Sequence, residues 1–157
     1  MKPHIGIPQK KLDAVTCLLS ELLANEVTLY TKTRKSHWNI AGESFMELHK
    51  LFESHYKNLE ASIDQLAERI GKLGGHTIGT MQEFGKLATL KEHPAKYLKS
   101  KEMLSELLSD HETVIIQLRD SVTKCSDKHH DSGTADFLTG LMEEHETTAW
   151  TLRRYLN

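Results

Sequence analysis

The chain predicts an all-α fold of four long helices in a bundle, and three observations carry that prediction. Apolar residues recur at three- and four-residue steps over four long stretches, the spacing of an amphipathic helix. Only three prolines occur, Pro3, Pro8 and Pro94, and none interrupts those stretches. Between the second and third stretches lies a span from His76 to Ser100 with Gly79, Gly85 and Pro94, too long for a tight turn and suited to a crossover between two antiparallel pairs.

The first helix is expected from about Gln9 to His37, with Pro8 placed to start it and Leu12, Val15, Leu19, Leu22, Glu26 and Leu29 on its inner stripe. A short turn, Asn39 to Gly42, folds the chain back. The second helix is expected from Gly42 to Lys72, with Phe45, Leu48, Phe52, Leu59, Ile63, Leu66 and Ile70 inward. Gly74-Gly75 ends it, and a short helical piece is expected near Met81 to Leu87 within the crossover. The third helix spans about Lys101 to Cys125, with Met103, Leu107, Val114 and Leu118 inward. The fourth spans about Thr134 to Leu156, with Phe137, Leu141, Thr148 and Leu152 inward.

At 157 residues the chain is long enough for one good core, read as a single domain over 1–157 with residues 1–8 as a flexible N-terminal tail. Its hydrophobic content of 38% is low for an isolated globule, and burial between copies would offset that. The formal net charge is −2, so the chain is no polycation. No segment approaches the roughly 20 apolar residues of a membrane span, and the N-terminal residues lack the apolar core of a signal peptide, so no membrane partner and a cytoplasmic location are expected. Cys17 and Cys125 stand far apart in no metal-type spacing and read as reduced, structural thiols.

Two pairs on the second helix point to chemistry: His49 with Glu53, and Asp64 with Glu68, each four residues apart and so each on one helical face. His49 and Asp64 are 15 residues apart, which a helical rise converts to roughly 22 Å. One chain cannot bring them to one ion. Fifteen steps of 100° amount to about 60° beyond whole turns, so both pairs point to broadly the same side. A two-fold copy packed antiparallel about Tyr56 and Lys57 would lay His49 of one chain beside Asp64 of the other, giving two equivalent sites per dimer. His37, at the end of the first helix, can face His49 across the turn. Two imidazoles with two or three carboxylates suit iron, zinc or manganese, and the absence of a thiolate argues against a structural zinc site. Ligand type alone leaves iron and zinc unseparated.

The run His37-Trp38-Asn39-x-x-Gly42-x-x-Phe45-x-x-x-His49-x-x-Phe52, continuing to Asp64-x-x-Ala67-Glu68-Arg69 and Gly74-Gly75, resembles the signature of the Dps family, the ferritin-like mini-ferritins also called DNA-protection-during-starvation proteins. The resemblance covers the first two helices closely and the rest by length and helix pattern. It implies a ferritin-like four-helix subunit in a hollow homododecamer, with a ferroxidase centre between two-fold-related chains. His37 and His49 would come from one subunit, and Asp64 and Glu68 from its partner. At the position of Glu53 the family commonly has aspartate, so this chain keeps the charge on a longer arm. The family further implies Fe(II) and hydrogen peroxide as reactants and ferric mineral stored in the cavity; zinc as a substitute metal rests on the donor chemistry above.

By the same resemblance, Trp38 beside the site would intercept oxidising equivalents; the plain alternative is an aromatic packed as core at a helix end. Acidic residues between the third and fourth helices line three-fold pores in the family. Asp127, Asp131 and Asp136 are the candidates here, with a polar turn capped by Asp131 or Ser132 as the alternative. Single helical histidines are usually surface or hydrogen-bonded residues, and His55, His93, His111 and His145 are left there. Di-iron bundles that build their site within one subunit carry Glu-x-x-His on core helices. This chain has none, so no site in the bundle interior is expected.

Two readings compete with ferroxidation. A DNA-compacting scaffold needs concentrated positive charge, and the tail offers only Lys2, Lys10 and Lys11, with His4. A helical oligomer holding zinc as a structural staple explains the donors equally well, though neither Trp38 nor the crossover.

Overall fold

A computed structural model describes residues 3–157; Met1 and Lys2 of the expected tail lie outside the described residues. Five α-helices follow in order: α1 (Gln9–Asn39), α2 (Phe45–Lys72), the short α3 (Met81–Leu87), α4 (Ser100–Thr123) and α5 (Ser132–Leu156), with one π-helical turn, Lys124–His129, between α4 and α5. There is no strand among the described residues. α1 packs chiefly on α2 and α4 on α5, so the two antiparallel pairs read from the sequence are the pairs in the fold.

The α1 stripe is buried throughout, from Leu12 to Leu29, Glu26 included. Phe52, Leu66 and Ile70 of α2 meet it, with Leu107, Val114 and Leu118 of α4 and Leu138 and Leu152 of α5 completing one core. Phe45 departs from the expectation. It opens α2, at 38% exposure, because the turn lifts the helix start to Phe45 and leaves the first residues outside the bundle. The turn itself uses Gly42 at φ +105°, a backbone conformation that glycine adopts without a Cβ penalty.

Gly74-Gly75 ends α2 for a steric reason. Gly74 has φ +83°, and a Cβ there would come 2.5 Å from Pro3 Cδ; a Cβ on Gly75 would come 2.9 Å from Thr16 Cγ2. The segment before α1 therefore lies against the start of the crossover, and Ile7 packs on the core. α3 opens with a capping box in which the Thr80 side chain accepts from Glu83 N and the Glu83 carboxylate accepts from Thr80 N. The crossover is then tied to α1 by buried polar groups. Asn25 Oδ1 accepts from Thr89 N at 2.7 Å and Leu90 N at 3.2 Å, while its amide donates to Gln117 Oε1 at 2.7 Å. Lys32 Nζ donates to Lys91 O at 2.7 Å and pairs with Asp110 at 2.6 Å. Burial raises the Asp110 carboxyl above its ordinary pKa, with Lys32 opposing the shift.

The third long helix was expected to run to Cys125; instead α ends at Thr123 and the π turn carries the chain to His129, with His130 in the left-handed region at φ +56°. Cys125 is buried there, and burial pushes its thiol up to about 11, as an inert structural thiol requires. Asp131 caps α5, accepting from Thr134 N at 2.9 Å, and its Oδ1 also lies 3.2 Å from Arg69 Nη2. No helix among the described residues is long and apolar enough to cross a membrane.

Candidate metal centre

His37 ends α1 and His49 lies in the second turn of α2, so the tight turn between them sets the two rings face to face. The rings stack with centroids 3.7 Å apart and planes 20° apart. Each is held by the other's backbone: His37 Nδ1 lies 2.8 Å from His49 O, and His49 Nδ1 lies 2.9 Å from His37 O. A carbonyl oxygen only accepts, so both Nδ1 atoms donate, and Nε2 of each ring is the atom left for a metal ion. The two rings are thereby fixed in the orientation that ligation through Nε2 needs.

Glu53, one turn beyond His49, is half-buried and bound by Lys57 at 2.6 Å. That hydrogen bond and the Lys57 charge hold the Glu53 carboxyl below its ordinary range, with smaller help from His37 and His49. The anion is thus the stable form beside the imidazoles. Asp64 and Glu68 are exposed farther along α2; Lys72, 2.8 Å from Glu68, lowers the Glu68 pKa. Within one subunit no group of three or more His, Cys, Asp or Glu among the described residues is arranged to hold a metal ion. His37, His49 and Glu53 stand at one end of α2, while Asp64 and Glu68 stand toward the other.

Trp38 is 64% exposed in the subunit and is not packed as core. Sequence reasoning missed what surrounds it. Arg34 threads an aromatic shell, its guanidinium 5.2 Å from the Trp38 ring, 4.6 Å from Tyr56 and 5.5 Å from Tyr30, with a 2.6 Å hydrogen bond from Nη1 to the Tyr30 hydroxyl. Tyr56 meets His37 edge-on at 5.2 Å. The i, i+4 series Tyr30, Arg34, Trp38 was the available signal. Of the three acidic residues near the α4–α5 junction, Asp131 is buried and spent on capping α5 and pairing Arg69, the alternative weighed for it; Asp127 and Asp136 are exposed.

A model of the ferritin-like domain family matches residues 16–157. An uncharacterized low temperature-induced protein of Nostoc sp. is 46% identical over 153 residues, covering 98% of this chain and 86% of that protein. The DNA protection during starvation protein 2 of Bacillus anthracis is 33% identical over 141 residues, covering 89% of this chain and 94% of that protein. Among solved structures, the Dps protein of Vibrio cholerae O1, described as a member of a broad superfamily of ferritin-like diiron-carboxylate proteins, superposes with a TM-score of 0.93 at 31% identity, covering 99% of this chain and 97% of that one. With the bundle, the crossover helix and the paired imidazoles in place, these matches establish that the chain belongs to the Dps family of ferritin-like proteins.

Proposed function

We propose that this protein oxidises and stores iron at sites shared between two-fold-related subunits. His37 and His49, with Glu53, bind from one chain; Asp64 and Glu68 of the partner subunit complete the set. The observation that carries this reading is the reciprocal pair of imidazole–carbonyl hydrogen bonds, which leaves Nε2 of both rings for a metal while no three donors among the described residues of one chain are arranged to hold it. Carboxylates supply hard anionic oxygen, which favours the ferric product over the ferrous substrate.

Hydrogen peroxide is the oxidant in this reading. Two ferrous ions give one electron each, the O–O bond breaks, and two protons complete two waters, so no hydroxyl radical is released. Ferric mineral then collects inside a hollow dodecamer in the cytoplasm, and DNA is protected through removal of ferrous iron and peroxide together. In this reading Trp38, exposed and 5.2 Å from the Arg34 guanidinium, takes up stray oxidising equivalents. Asp127 and Asp136 are the exposed carboxylates left for an iron-entry pore. A DNA scaffold draws little support from this chain. Lys10 and Lys11 belong to the first turn of α1 rather than to a tail, and Lys2 lies outside the described residues. Zinc fits the same donors as a competitor for iron.

The test is anaerobic ferrous oxidation with stoichiometric peroxide, following ferric absorbance. Wild type is expected to oxidise rapidly and Asp64→Ala to fall at least about tenfold, since losing even a supporting group at a metal site costs about 10–100-fold. Equal rates for both proteins and for a protein-free control would sink the reading.

A further inference from the structure

Each of the four long helices places one metal-type donor at a common level of the bundle interior: Glu26 from α1, His55 from α2, His111 from α4 and His145 from α5. All are at least nine-tenths buried, with exposures of 0%, 7%, 2% and 3% in that order. Glu26 Oε1 lies 2.8 Å from His145 Nε2, and His145 Nδ1 lies 2.9 Å from His111 Nδ1. The His55 and His111 rings meet at 6.4 Å, close to edge-on. Beyond Glu26 Oε1, whose contact is the ion pair with His145, three polar atoms of this group, Glu26 Oε2, His55 Nδ1 and His111 Nε2, have no hydrogen-bond partner. Leaving buried polar atoms unpaired is destabilising, so three in one cluster call for an explanation other than stability. A cavity of about 20 Å³ adjoins the three imidazoles, lined by His55, His111 and His145 and by Asn58, Ser62 and Thr148 at the seam of α2 and α5, with Glu26 outside its lining. That is room for one small occupant.

We propose that His55, His111 and His145 form a second metal site, within the subunit, for one divalent transition cation of the zinc, iron or cobalt type, with Glu26 behind it holding the Nε2 side of His145. Three imidazoles, with solvent in the open position, are a donor set such ions take. The 2.9 Å between His111 and His145 Nδ1 compares with the roughly 2.9–3.4 Å that separates adjacent nitrogens on an ion bonded at about 2.0–2.1 Å. Without metal the four side chains do not converge on one point. His145 instead holds the place of the ion with a proton, donating through Nε2 to Glu26 and through Nδ1 to His111. The entering cation replaces the proton shared by the two Nδ1 atoms, which leaves to solvent, and a turn of the His55 ring brings its unpartnered Nδ1 onto the ion while Glu26 keeps the Nε2 side of His145. The donors are three histidines on three different helices, with a glutamate behind them on the fourth, an arrangement that needs no Glu-x-x-His motif.

The test uses the assembled protein carrying Asp64→Ala and Glu68→Ala, so that the shared site is disabled and failure here says nothing about that site. Anaerobic cobalt(II) titration of this variant is expected to give about one bound ion per subunit, an intense visible d–d absorption of low coordination number, release of protons, and a metal-dependent rise in thermal midpoint. Adding His111→Leu should remove all four signals. Should that variant fail to assemble, His55→Phe carries the same expectation. A background protein that shows neither the intense absorption nor a shifted midpoint overturns the proposal, as does absorption that persists unchanged when His111 or His55 is replaced.

Discussion

The imidazole pair at the α1–α2 turn and the imidazole cluster in the bundle centre use one side chain in opposite ways. At the turn, each Nδ1 is satisfied by a backbone carbonyl, so both rings are oriented with Nε2 left for a ligand. In the centre, the rings lean on one another and on Glu26, and their ionisation follows from burial. His55 is driven down to about 4 by desolvation, and His111 well below its ordinary value by desolvation with the His145 charge adding to it. His145 is raised: desolvation opposes its charge, and Glu26 outweighs that cost. Backbone anchoring makes a site whose readiness is nearly independent of the rest of the fold. Side-chain anchoring makes one whose protonation is part of the fold's stability.

The sharpest way to break the comparison is to remove one anchored ring. His49→Ala should lower peroxide-driven iron oxidation about 10–100-fold, with the thermal midpoint changed far less than by a core truncation such as Phe52→Ala. The latter, at a fully buried ring, should cost about 3–5 kcal/mol in denaturant unfolding. If His49→Ala destabilises as much as Phe52→Ala, the turn is structural and the contrast collapses.

Acid stability of the metal-free protein gives the next largest effect. In the fold His55 stays neutral to about 4, whereas the unfolded chain takes up that proton near 6.5. Stability is therefore lost as pH falls from about 6.5 toward about 4, by on the order of 3 kcal/mol for His55. His111 acts in the same direction. His145, raised, acts against them: its contribution is complete below its unfolded value and fades as pH rises through its folded one. Denaturant midpoints across that window should fall with acid, and His55→Phe should flatten the profile. An unaltered slope in His55→Phe would remove His55 as the cause.

The smallest effect belongs to the rim of the turn site. Lys57→Ala frees Glu53 from its ion pair, and ferrous affinity should rise a few-fold in equilibrium titration while the thermal midpoint holds. Weaker binding would show instead that Lys57 positions the Glu53 arm.

Much of this was legible in the residues. The stripe of α1, the two antiparallel pairs, the crossover helix and the meeting of His37 with His49 all follow from apolar periodicity and one short turn. The π turn after Thr123 was not legible, because its single extra residue per turn is set by tertiary packing and leaves no mark on an apolar repeat. The central cluster was missed for a different reason. His55 follows Phe52 by three, His111 follows Leu107 by four, and His145 follows Leu141 by four, so each sits on its helix's inward stripe. Periodicity says that a position faces the core, but a polar residue there registers as a gap in the pattern rather than as a member of it.

The buried amide of Asn25 has a consequence for the order in which the chain assembles. Its partners Thr89 and Gln117 are 64 and 92 residues away, whereas the pairs α1–α2 and α4–α5 close through short connections. Closing long loops costs more chain entropy, so the two helical hairpins can form early and separately, each from local contacts. Asn25 then acts as a late checkpoint. The crossover satisfies Thr89 N and Leu90 N only once the first hairpin presents that side chain and the second brings Gln117 beside it.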